Sequence, residues 1–223
     1  NFFVGNLAYN ASDHPAARAA LQAALDAGYT ETDPRGLIIE SYFQQELIAE
    51  GLAFMKQQAD ALVAAGGEVP EIWLLRGLQR AYDADKPAEA NEVARMLVHY
   101  HPTQQNWVRS LQVVNAVNPL EAPAQLDLYR LMRETQALTQ RDEFIRYIEA
   151  ADPRIMSNEV LPVLAEAVAS GELEARDNYY VEVKAIADAR APQDRRDLEG
   201  LVREGRTGDG RLALSTGDLL WSV

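Results

Sequence analysis

The chain has no cysteine. Disulfides, thiolate zinc sites, iron–sulfur clusters and a thiol nucleophile are thereby excluded. No run approaches the roughly 18 apolar residues of a membrane-spanning helix. Lysine is scarce, with Lys56, Lys86 and Lys184 against 18 arginines. Acidic residues outnumber basic ones 34 to 21, and the net charge of −13 argues against a nucleic-acid partner. Period-two alternation of β-branched residues is sparse. The missing cysteines do not fix a compartment, and the arginine- and alanine-rich composition suggests a GC-rich bacterial genome. The compartment stays open, with the periplasm slightly favoured over the cytoplasm.

The ends also lack something. No Met opens the chain, and no basic segment followed by an apolar stretch marks a signal peptide. Asn1-Phe2-Phe3-Val4 and Leu219-Leu220-Trp221-Ser222-Val223 are apolar where termini are usually polar and loose. The expectation is a fragment of a longer protein. Its 223 residues, 48% of them hydrophobic, suffice for one or two domains with a sizeable core.

What is present is helical. Segments of roughly 10 to 17 residues carry apolar side chains at three- and four-residue spacing, as at Leu21, Ala24 and Leu25 or at Leu126, Tyr129, Leu131 and Met132. Between them stand short breakers, among them Thr32-Asp33-Pro34, Gly66-Gly67, Asn118-Pro119 and Ala191-Pro192. Gly28, Gly66, Gly171 and Gly205 sit at segment ends, where helices exit. Thr139-Gln140-Arg141-Asp142 reads as a capping box. Pro162 demands a helix starting near Asn158. About thirteen helices and no strand are predicted, an all-α chain.

Helices this short and regular invite a test for repeats. Steps of 34 from Tyr9 land on Phe43, Gly77, Leu111, Ile145, Tyr179 and Ala213, each apolar or Gly and each expected mid-helix in an odd-numbered helix. Ala17 maps onto Gly51, Leu21 onto Met55 and Trp73 onto Trp107. Leu164, Ala167, Val168 and Gly171 map onto Leu198, Leu201, Val202 and Gly205. The register predicts a solenoid of helical hairpins.

These residues resemble the tetratricopeptide repeat (TPR), a 34-residue helix–turn–helix unit. Gly5-Asn6-Leu7-Ala8-Tyr9 with Ala17, Leu21 and Ala24 is similar to one copy, and Trp73, Gly77, Ala90, Leu97 and Pro102 are similar to another. Tyr42-Phe43 with Gly51 and Met55, and Trp107 with Leu111, look like degenerate copies. Beyond Ala137 only the period persists, until Leu214–Trp221 looks like a first helix without its partner. The resemblance implies a right-handed α-solenoid of antiparallel helix hairpins over 1–223, with about six pairs and a truncated final helix. The resemblance also implies noncatalytic protein or peptide binding on a concave face lined by the first helix of each pair. An assembly module and an accessory domain of a larger enzyme are the alternatives.

Candidate ligand-binding residues are polar positions on those first helices: Asn6 and Asn10, Glu40 and Gln44, Arg76 and Arg80, Gln112 and Asn115. Their side chains can hold an extended backbone or a carboxylate, whereas solvent faces of amphipathic helices need nothing more than polarity. No catalytic residue, cofactor or metal is expected. His99 and His101 lack the spacing of two ligands on one helix face, and carboxylate pairs such as Glu172 and Glu174 follow from acidity alone. Gly205-x-x-Gly208-x-Gly210 lacks the Lys-Ser/Thr of a phosphate loop and reads as a loop between repeats. Asn10-Ala11-Ser12 reads as a turn. Phe2-Phe3 and Tyr179-Tyr180 should split, one side chain inward and one outward.

Overall fold

A computed structural model describes residues 1–221. Ser222 and Val223, the end of the closing apolar run, lie outside the described residues. Among the described residues the chain is all-helical and contains no strand. Twelve α-helices follow one another, α1 Phe2–Asn10, α2 His14–Asp26, α3 Arg35–Phe43, α4 Ile48–Ala64, α5 Glu71–Asp83, α6 Pro87–Tyr100, α7 Gln104–Val117, α8 Ala122–Glu134, α9 Arg141–Ala151, α10 Ser157–Ala169, α11 Asn178–Thr207 and α12 Gly210–Trp221. None is long and apolar enough to cross a membrane. The residues group into two compact units, Asn1–Pro119 and Leu120–Val223.

In the first unit each helix packs on the next, and α1 also touches α3, α3 touches α5 and α5 touches α7. Its apolar stripes meet in two clusters. Phe2, Leu21, Ala24 and Ile38 join α1, α2 and α3. A larger cluster runs from Ile39 and Phe43 through Met55, Trp73 and Leu74 to Leu97. Small residues permit this approach: a Cβ on Gly51 would stand 2.7 Å from the Phe43 ring. Polar ties add direction, since Arg18 donates to the Ser41 carbonyl at 3.1 Å and lies over the Tyr42 ring. At the other end of the unit, His101 Nε2 donates to the Val69 carbonyl at 2.8 Å.

In the second unit α8 to α12 each pack on their successor. Here the interior is partly ionic. Arg130 of α8 makes two 2.9 Å hydrogen bonds to Glu159 of α10, and the Tyr147 hydroxyl of α9 donates to the same carboxylate at 2.7 Å. Arg130 is 8% exposed and Glu159 2%, so water screens neither. Tyr147 also stacks on Tyr129. Burial first, and then the Glu159 carboxylate, push its phenol far above the ordinary value.

Several local expectations hold. Gly28, Gly66 and Gly171 adopt φ of +72°, +75° and +84° just past helix ends. Phe2 is 8% exposed and Phe3 74%, the split expected of adjacent helical residues.

Others are corrected. The capping box opens α9 one residue later than expected: Gln140 is the N-cap, and Glu143 accepts from the Thr139 and Gln140 amides at 2.8 and 3.1 Å. The longer Glu143 side chain reaches back where Asp142 does not. Helix α10 begins at Ser157, one residue from the expected Asn158, but Pro162 falls in its second turn and not its first. Ala191-Pro192 does not end a helix, because α11 runs through it. Lys184–Asp188, Arg190–Asp194 and Gln193–Asp197 staple the turns around it, and Pro192 is exposed, leaving water to satisfy the carbonyl it frees. That fusion reduces thirteen helices to twelve and moves Ala213 into α12. Tyr9 and Phe43 fall at the ends of the 9-residue helices α1 and α3, and Tyr179 at the start of the 30-residue α11, instead of mid-helix. Gly205 belongs to α11 rather than a loop, where its missing side chain admits Thr216 of α12.

Candidate functional site

The odd-numbered helices of the first unit present the expected polar residues, but as pairs of different kinds. Asn10 Nδ2 donates to Asn6 Oδ1 at 2.9 Å within α1. Glu40 and Arg76 meet across helices, with Arg76 Nε 3.1 Å from Glu40 Oε1. The Glu40 side chain is 17% exposed and that of Arg76 58%, so the pair sits at the rim of the α3–α5 seam. Gln44 is the C-cap of α3, past the helix and exposed. Arg80 occupies the last turn of α5, where a cation suits the helix dipole. Gln112 and Asn115 are half-buried on α7, each with an interaction of its own. The structure therefore brings Glu40 to Arg76 and leaves Gln44 outside the helical face.

Next to these residues lies a feature that polarity alone did not flag. A cleft of 570 Å³ runs between α5 and α7. Leu75, Leu78 and Tyr82 line one wall, and Val113 and Ala116 line the other. Gln79, Arg109 and Gln112 supply its polar atoms. Position 75 stands 34 residues before 109, 78 before 112, 79 before 113 and 82 before 116, so both walls use equivalent turns of equivalent helices. Ile72 and Tyr82 are 53% and 45% exposed, which gives α5 an apolar stripe outside its core face of Trp73, Leu74, Gly77, Leu78 and Ala81. That second stripe was present in the sequence as a signal, because the core face of α5 leaves out Ile72, Leu75 and Tyr82, three of its seven apolar side chains.

The second unit contains a cavity of 580 Å³ bounded by the α9–α10 turn, α10 and α11. Two of the charges that line it, Arg190 and Asp194, pair with each other. Arg190 Nε is 2.6 Å from Asp194, whose other oxygen accepts from Ser157 Oγ at 2.5 Å. Arg195 donates to Asn158 at 3.0 Å. This network ties the start of α10 to α11. Among the described residues no group of three or more His, Cys, Asp or Glu side chains is arranged to hold a metal ion.

Neither a model of a known protein family nor a curated protein matches this chain. The functional reading therefore rests on residues and geometry.

Proposed function

We propose that the chain is a noncatalytic protein- or peptide-binding scaffold in which α1–α7 form a tetratricopeptide-like solenoid of antiparallel hairpins. Its working face is the surface of α1, α3, α5 and α7. One observation carries the reading: successive odd helices touch, so residues about one repeat apart come together, as Glu40 and Arg76 do at 3.1 Å. A surface assembled in this way is extended and open, and it suits a peptide or helix better than a reaction needing exclusion of water. Selection from a displayed library of random peptides, followed by amide hydrogen exchange with a selected peptide bound, tests it. Protection on α3, α5 and α7 is expected. Protection confined to α2, α4 and α6, or an empty selection, would overturn the reading.

Self-association is a second reading, favoured by α1. This helix holds no charged residue, and Phe3, Val4 and Leu7 are 74%, 62% and 72% exposed. In a chain of net charge −13, an uncharged apolar face is where two copies meet with least repulsion. A concentration series in light scattering with native protein and Leu7→Glu decides it, the substitution being expected to abolish any dimer.

A further inference from the structure

We infer that the cleft between α5 and α7 takes an acidic amphipathic helix, an assignment that rests on the scaffold reading above and names its partner's chemistry. Three features of the cleft converge on that occupant. The first is the apolar floor. Leu75, Leu78 and Val113 face a space of 570 Å³ beside the half-exposed ring of Tyr82, and the stripe from Ile72 to Tyr82 spans eleven residues, about 15 Å of helix. A partner helix anchored at i, i+4 and i+7 covers about 10 Å, which fits within it.

The second feature is the backbone. Both walls are helices, whose central amides and carbonyls are bonded internally, so the cleft offers an extended strand no row of free backbone groups. A helix brings its own backbone bonds with it and asks of the cleft only apolar contact and a few polar side chains. Gln79 can supply one through its amide oxygen, its Nε2 being bonded to Asp83.

The third feature is charge. The chain carries −13 overall, yet no acidic residue lines this cleft and Arg109 does. Helix α7, QQNWVRSLQVVNAV, has one arginine and no acid. Helix α5 adds Arg76 and Arg80 against Glu71 and Asp83. Three arginines less two acids leave +1 on the pair of helices, and Glu40 of α3 takes up Arg76, so the positive charge lining the cleft is that of Arg109. Both acids are engaged, Glu71 accepting from Asn106 at 2.6 Å and Asp83 from Gln79 at 2.7 Å. Arg109 has only a long 3.5 Å contact to the neutral Asn106 oxygen, so its charge is available to a carboxylate.

The charge argument makes the test discriminating. Three synthetic amphipathic peptides of about 15 residues, some four turns, share one Leu/Phe stripe and carry Glu, Gln or Lys on the opposite face. Their affinities for the full chain are read by fluorescence anisotropy at low and physiological salt. Attraction to the whole protein would rank the Lys peptide first, whereas the local field of the cleft ranks the Glu peptide first, by a margin that shrinks as salt rises. Tyr82→Ala should weaken the Glu peptide about tenfold, and Arg109→Glu should cancel or reverse the order, with circular dichroism confirming that both variants fold. Four outcomes would overturn the assignment: the Lys peptide binding native protein tightest, Glu and Gln peptides binding equally at low salt, Tyr82→Ala leaving affinity unchanged, or none of the three binding. If library-selected peptides still protect α3, α5 and α7, the scaffold reading survives that loss. If they do not, both fall.

Discussion

The two units hold neighbouring helices together by different means. In Asn1–Pro119 the buried contacts are almost wholly apolar, Phe43 against Gly51 and Trp73 reaching to within 3.3 Å of where a Cβ on Gly36 would stand. In Leu120–Val223 the apolar stripes of α8, α9 and α10 enclose Arg130, Tyr147 and Glu159, which bond one another. Both units retain the spacing. Lys56 pairs with Glu92, 36 residues on, and Asn106 with Glu71, 35 back. In the second unit Arg133 clamps Glu166 over 33 residues, Tyr179 donates to the Ile145 carbonyl over 34 and Arg195 reaches Asn158 over 37. In both units hydrogen bonds and ion pairs join residues 33 to 37 apart.

The sharpest way to break this contrast is at Glu159. Glu159→Ala removes the buried carboxylate that takes two hydrogen bonds from Arg130 and one from Tyr147, leaving Arg130 its partner Asp127, and should cost the second unit about 3–5 kcal/mol. The apolar replacement of the pair, Arg130→Met with Glu159→Leu, should recover most of that loss. Urea unfolding followed by site-resolved hydrogen exchange reads each unit separately, with exchange in α2–α6 expected to stay unchanged. In the first unit the corresponding weak point is steric. Gly51→Ala places a methyl 2.7 Å from the Phe43 ring and 3.0 Å from Tyr42 Cβ, and overpacking of this kind should cost about 1–3 kcal/mol, detected as faster exchange in α3 and α4.

Two smaller effects sharpen the comparison. Arg76→Ala removes a rim pair whose arginine side chain is 58% exposed, and should change stability by under about 1 kcal/mol. The same substitution weakening a selected peptide would make Arg76 part of the binding face and not of the scaffold's stability. The mildest is Asp177, the N-cap of α11, where the hydrogen bond from Arg141 and then the Glu174 amide hold the carboxyl below its ordinary 3.8. A depressed carboxyl contributes above its unfolded value, and the contribution disappears as pH falls through the folded one. Protection at the start of α11 should therefore drop on acidification below 3.8, and Asp177→Asn should abolish that step.

Much of the fold was legible because helix formation is a local matter. The three- and four-residue spacing located the helices, and Gly28, Gly66 and Gly171 marked exits that only a residue tolerant of positive φ takes without strain. Pro192 misled for the opposite reason: its effect on α11 is settled by side-chain pairs and by exposure, which the dipeptide does not encode. At the candidate site, polarity and period picked out Glu40 and Arg76, which do meet, and Gln112, which does line the cleft. Leu75 and Tyr82 were passed over, since an apolar residue on an amphipathic helix is assigned to the core by default; the surplus of apolar residues on α5 was visible, but only the structure shows that they line one cleft with Arg109. The Arg130–Glu159 contact was hidden more deeply. Charged residues read as surface, and 29 residues of separation is not the period.

That contact also constrains how the protein changes over generations. With Tyr147 hydrogen-bonded to the same carboxylate, Arg130 and Glu159 form a unit in which each side chain is tolerable only beside the others. Lineages should hold the trio intact or exchange it together, because a route through one replacement at a time crosses a poorly folded intermediate. At the open cleft of the first unit no such lock operates. Its lining is free to drift one residue at a time, so descendants of one ancestor can retain an identical second unit while diverging along this cleft.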